Sequence, residues 1–166
     1  MELLYLRHGR TAFSAKNLFM GHQDLPLLPN YEGDFINALD VLKNFKPEVV
    51  YHSPLKRATQ TLEAIKDGIS VAKSISCPLL IERDFGNYEG KEKSLKSRIE
   101  LESDPSVEPA QSVKNRANQF FDMVRQDRMK KLVIGHSGFY QQLCKLAINS
   151  PPERIEIATA VMLEFR

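Results

Sequence analysis

No charge of one sign dominates this 166-residue chain: 23 basic residues stand against 21 acidic ones, a formal net charge of +2. That balance argues against nucleic acid or a membrane surface as partner, so any positive field must be local. No apolar stretch approaches the roughly 20 residues that a spanning helix needs. Cysteine is scarce, and the separation of Cys77 and Cys144 matches no metal-ligand spacing. The first apolar run begins almost at Met1, which leaves no export signal there and predicts a cytoplasmic protein with reduced thiols. The chain shows no internal repeat, no low-complexity segment and no glycine-rich phosphate loop after its first strand. The last absence removes the usual nucleotide-binding doubly wound domain.

What is present is a strand–helix alternation. With 42% hydrophobic and 27% charged residues, the composition is that of a globular protein long enough for one cored domain over residues 1–166. Residues 2–8 form a near-continuous apolar run, expected as a strand buried on both faces. A polar loop follows to about Asn30. Phe35, Ala38, Leu39, Leu42 and Phe45 then recur at helical spacing, and Pro47 ends that helix. Val49, Val50 and Tyr51 predict a second strand. Ser53 is the expected N-cap and Pro54 the first residue of a helix carrying Leu55, Ala58, Leu62 and Ile65. Leu79-Leu80-Ile81 reads as a third strand stopping at Glu82. Residues 86–110 read as an insert or lid. Ser112 is expected to cap a helix with Val113, Ala117, Phe120, Phe121 and Val124. Leu132-Val133-Ile134 is the fourth strand, stopping at Gly135-His136-Ser137-Gly138 before a helix with Tyr140, Leu143 and Ala147. Ile155 to Phe165 reads as a final strand. The fold expected is a three-layer α/β/α sandwich with a mostly parallel central sheet.

Parallel strands put their carboxyl ends on one edge, where such folds bind ligands. Arg7, His8, Arg57, Glu82 and His136 should therefore converge. Two guanidiniums and a second imidazole around one histidine make an anion site suited to phosphoryl oxygens. Gly9 would let backbone approach a ligand, and the helix amino termini after Ser53 and Ser137 would add partial positive charge. Neighbouring cations should keep His8 neutral, as a nucleophile requires. Glu82 is the one carboxyl left to give and retake a proton. With no metal or cofactor site legible, the arginines are expected to stabilise the transferring phosphoryl group.

These segments resemble the histidine phosphatase superfamily, the phosphoglycerate mutase-like family. The resemblance rests on Arg7-His8-Gly9-Arg10-Thr11, on Ser53 to Thr61, on Glu82 to Gly90 and on Gly135-His136-Ser137-Gly138, in that order through nearly the whole chain. It implies a phosphohistidine on His8, phosphate held by Arg7, Arg57 and His136, and Glu82 as general acid/base. The stretch Asn17 to Leu27 is similar to the family's early loop and implies Asn17 as a further phosphate ligand. The chain departs from the family pattern at Arg10, at Leu28 and at Ala110-Gln111-Ser112, although Arg116 matches.

The Lys91–Lys96 charge run is expected to be solvated, with Lys93 able to reach over the pocket toward an acidic substrate. His52 is a possible rim residue, His22 an exposed loop residue, and Phe120-Phe121 core. The compact lid favours a phosphatase of small phosphorylated metabolites; sugar and nucleotide-like monophosphates, α-ribazole phosphate and phosphohistidine on protein stay open. A mutase is the second reading, since Glu82-Arg83 and Lys93 match its pattern. An inactive phosphate-binding regulator is the third. The expected partner is a small-molecule phosphomonoester; the sequence leaves monomer or homodimer open.

Overall fold

A computed structural model describes residues 1–71 and 73–166. Five strands form one sheet: β1 (Glu2–Arg7), β2 (Val49–His52), β3 (Lys73–Ser76), β4 (Lys131–Gly135) and β5 (Ala160–Glu164), in the spatial order β3-β2-β4-β1-β5. All neighbours are parallel except β5, which runs antiparallel to β1 along the edge. The helices are α1 (Ala12–Ala15), α2 (Ile36–Phe45), α3 (Lys56–Ile65), α4 (Leu95–Glu100), α5 (Ala110–Val124) and α6 (Ser137–Leu143). Among the described residues no helix is long and apolar enough to cross a membrane.

The alternation of side chains along a strand splits the core into two faces. Leu3 and Tyr5 of β1 join Val49, Tyr51 and Val133 beneath α5 and α6. Leu4 and Leu6 join Val50, Leu132 and Ile134 beneath α2 and α3. A small third cluster, Phe19 with Leu101, Val107, Phe85 and Tyr88, anchors the lid.

Four local expectations are corrected. The third strand is the polar Lys73–Ser76, and Pro78–Leu80 is a turn of 3₁₀ helix. β3 is an edge strand with one neighbour, so it needs little apolar content, whereas Pro78 has no N–H to extend a ladder. Glu82 therefore lies on a loop beyond the strand. The last strand is only Ala160–Glu164. Helix α3 starts at Lys56 behind Leu55, so Ser53 does not occupy the cap position. Helix α5 starts at Ala110 behind Pro109, which puts Ser112 inside its first turn.

Candidate active site

The carboxyl ends of β1 and β4 lie side by side, with Arg7 in register with Gly135. Each strand is followed at once by a histidine, and the rings of His8 and His136 are 5.2 Å apart. His8 N–H donates to Gly135 O at 3.1 Å, carrying the ladder one step further.

The proton on each ring follows from its partners. His8 Nδ1 is 2.8 Å from Gly9 O. A carbonyl only accepts, so Nδ1 carries the proton and Nε2 keeps its lone pair. In His136 the arrangement is reversed. Arg57 Nε donates to Nδ1 at 3.2 Å, so Nδ1 accepts, and Nε2 donates to Ser53 Oγ at 2.7 Å. Both imidazoles lie well below the ordinary 6.5: burial is the main cause, and the Arg57 charge is the next. Burial thus outweighs the cations that the sequence pattern put first.

Arg57 is completely buried. Besides His136 it holds Gln23 O and Gly21 O, each at 2.8 Å. Burial brings its guanidinium down to about 10, still charged at neutral pH. Arg7 donates to Ile155 O at 2.8 Å, while its Nε is the one fully buried side-chain nitrogen or oxygen without a partner among the described residues. A buried guanidinium N–H without a protein partner is costly, and a charge-assisted hydrogen bond to an anion would offset that cost.

Glu82 is fixed by backbone. Oε1 accepts from Arg83 N at 2.8 Å and Phe139 N at 3.2 Å, and Oε2 accepts from Gly138 N at 3.0 Å. The amino terminus of α6, expected to face a phosphate, is thus taken up by this carboxylate. A carboxylate offers about four lone-pair sites; three are filled, and the open one is on Oε2. A Cβ at Gly138 would come within 2.4 Å of Oε1, so glycine is what admits Glu82 here. The loop is braced by Arg116, which donates to Leu79 O at 2.9 Å and Ile81 O at 2.7 Å while pairing with Glu108.

A cavity of about 260 Å³ opens between Arg7, Glu82, Ser137, Asn17 and Lys93, with Arg98, Arg154 and Glu156 at its wall. Asn17 Nδ2 donates to Lys93 O at 3.3 Å, and Lys93 N to Asn17 O at 2.9 Å, so the two residues are pinned together. Burial, with Arg7 beside it, lowers the Lys93 amine to about 8. Among the described residues Lys93, Arg98 and Arg154 form no ion pair. No group of three or more potential metal ligands gathers among those residues either.

Of the expected site residues Arg7, Asn17, Glu82, Lys93 and Ser137 line this cavity. His8, Arg57 and His136 are buried beside one another and are not among its lining residues, and Gly9 and His52 are not either. Gly9 donates its N–H to Thr61 Oγ1 at 3.1 Å, and a Cβ there would meet Phe35 at 2.9 Å, so this glycine accommodates packing and does not line the cavity. His52 is buried within β2, with Nδ1 3.0 Å from Ser53 O, and does not line the cavity. Three contributors escaped the sequence reading. Ser53 holds His136, a role its cap-like context concealed. Tyr5 Oη donates to His136 O and accepts from His136 N, both at 2.9 Å. Its signal was a tyrosine among the leucines of β1. His22 contacts Glu82 O.

The family model for the histidine phosphatase superfamily (branch 1) matches residues 3–162. The chain belongs to that superfamily. It is 37% identical over 100 residues to a 2,3-bisphosphoglycerate-dependent phosphoglycerate mutase of Cutibacterium acnes, covering 56% of this chain and 39% of that protein. It is 27% identical over 157 residues to a candidate phosphoserine phosphatase of Hydrogenobacter thermophilus, covering 83% of this chain and 74% of that one. The chain therefore spans well under half of the mutase and about three quarters of the second relative. Among solved structures, Bacillus stearothermophilus YhfR superposes with a TM-score of 0.81 at 20% identity, over 98% of this chain and 90% of that chain. At that identity the likeness establishes the fold.

Proposed function

We propose that the protein is a phosphomonoesterase working through a phosphohistidine on His8. The observation carrying this reading is the proton arrangement of His8: Nδ1–H is committed to Gly9 O, so a neutral ring offers Nε2 as nucleophile, one residue along the chain from Arg7. Nε2 attacks phosphorus, and the bond from phosphorus to the leaving oxygen breaks. Glu82 gives that oxygen a proton from Oε2, where its lone-pair site is open. Water then attacks the phosphohistidine, Glu82 takes a proton from it, and the P–N bond breaks to return neutral His8. Arg7 binds phosphoryl oxygens directly, and Arg57 acts through His136 and the loop it holds.

The leaving group of this reading carries negative charge of its own. Lys93, Arg98 and Arg154 line the outer cavity and form no ion pair among the described residues, and burial, with Arg7 next, lowers the Lys93 amine although Glu82 opposes it. Mutase activity is favoured by the match to phosphoglycerate mutases and by Lys93 in the cavity. Against it, Arg83 of the mutase-like Glu82-Arg83 pair is spent on both oxygens of Glu102 and on Glu108 O.

The test is phosphate release from a panel of monophosphates, 3-phosphoglycerate included, in EDTA, with wild type beside His8→Ala. Turnover in the wild type and none in the variant supports the reading. Phosphoryl shift within 3-phosphoglycerate without phosphate release replaces it with mutase. Phosphate binding without turnover replaces it with a regulator.

A further inference from the structure

One short loop joins the two halves of this site. Gly21 O and Gln23 O face Arg57, while His22 between them turns the other way, with Nε2 2.8 Å from Glu82 O. A carbonyl only accepts, so Nε2 carries a proton and donates it. His22 N–H in turn donates to Glu89 Oε1 at 2.7 Å, and Asp84 Oδ2 lies 3.7 Å from Nδ1. The path is fixed by Gly21, whose φ of +52° and lack of Cβ let Glu89 Oε1 sit where a side chain would be.

This contact joins Glu82 to the loop that holds Arg57. Glu82 lies outside any helix or strand, and among the described residues its main-chain carbonyl has His22 as its one partner. Its carboxyl is set by Arg83 N, Gly138 N and Phe139 N, and the carbonyl before it, Ile81 O, by Arg116, so His22 supplies the hold on the Glu82 carbonyl itself. We infer that His22 is a positioning residue for the Glu82 carboxyl: it ties the acid/base to the loop that also holds Arg57, so that proton donor and phosphate cradle keep one spacing. This rests on the reading of Glu82 as acid/base. Small displacements of a proton donor are costly, because transfer needs hydrogen-bond reach.

The experiment compares His22→Leu, His22→Gln and Glu82→Gln on an alkyl monophosphate, whose leaving oxygen needs a proton, and on 4-nitrophenyl phosphate, whose leaving group does not. Gln can place an amide N–H near the position of Nε2. The expected result for His22→Leu is a kcat loss on the order of tenfold on the alkyl ester, KM little changed, near wild-type turnover of the nitrophenyl ester, and recovery in His22→Gln. Parallel losses on both esters in His22→Leu, or no recovery in a folded His22→Gln, would overturn the positioning role while a leaving-group-dependent Glu82→Gln keeps Glu82 as the acid. A Glu82→Gln variant that slows both esters equally overturns the reading of Glu82 and this inference with it.

Discussion

The ends of β1 and β4 form a natural experiment. The strands are neighbours, in register, and each delivers a buried imidazole at its next residue. Both rings are neutral for the same reason, burial reinforced by Arg57. They differ in which nitrogen holds the proton. His8 spends Nδ1–H on the carbonyl of the following residue and keeps Nε2 without a partner among the described residues. His136 has both nitrogens engaged, one by Arg57 and one by Ser53. Burial makes either ring neutral, but only local partners decide which can attack and which can only support.

The largest expected effect breaks that difference outright. His8→Ala should lower kcat by at least about 10³-fold, since removing a nucleophile eliminates the covalent step; phosphate release in EDTA measures it. A substantial residual rate would move the nucleophile elsewhere. Glu82→Gln comes next, with a loss of about 10²-fold on alkyl esters and little on nitrophenyl phosphate, as steady-state rates on the two ester classes would report.

Lys93→Met sharpens the contrast between inner cradle and outer rim. The Lys93 amine is charged below its lowered value of about 8 and neutral above it. The wild-type KM for an anionic phosphomonoester should therefore rise as pH passes through about 8. The variant should show a KM raised about tenfold at neutral pH and no such step. A KM–pH series on both proteins checks this.

Two smaller effects concern stability. Tyr5→Phe leaves the buried His136 N–H without a partner, while His136 O keeps Tyr140 N–H, at a cost of about 1–3 kcal/mol. Urea unfolding should show it with the m-value unchanged. The two histidines bind protons less readily in the folded chain than at their ordinary 6.5. Below pH 6.5 the unfolded chain therefore takes up protons that the native one does not, and stability falls as pH falls. Comparing urea midpoints at about pH 7.5 and about pH 5.5 should show that decline, shallower in His136→Asn than in wild type.

Much of this site was legible because its markers are local. Arg7-His8 and His136 follow apolar runs that could only be buried strands, and Arg57 falls in the first turn after the second such run. The edge strand was misread because the hydrophobic pattern marks burial, and β3 is mostly exposed. Glu82 was found as a residue but misplaced as a strand end. Its position comes from Arg116 taking the Leu79 and Ile81 carbonyls, and from α6 supplying N–H groups to its carboxylate.

By itself the sequence determined the alternating α/β order, the mostly parallel sheet and the set of cations and imidazoles brought to one edge, because side-chain period and strand direction are properties of short segments. Only the tertiary structure decided the proton on each imidazole, the burial that keeps both neutral, the commitment of Arg57 to the protein, the release of Gly9 from the cavity and the contact of His22 with Glu82. Each of these depends on partners far apart in the chain, such as His136 and Ser53, 83 residues apart, whose meeting is a consequence of packing.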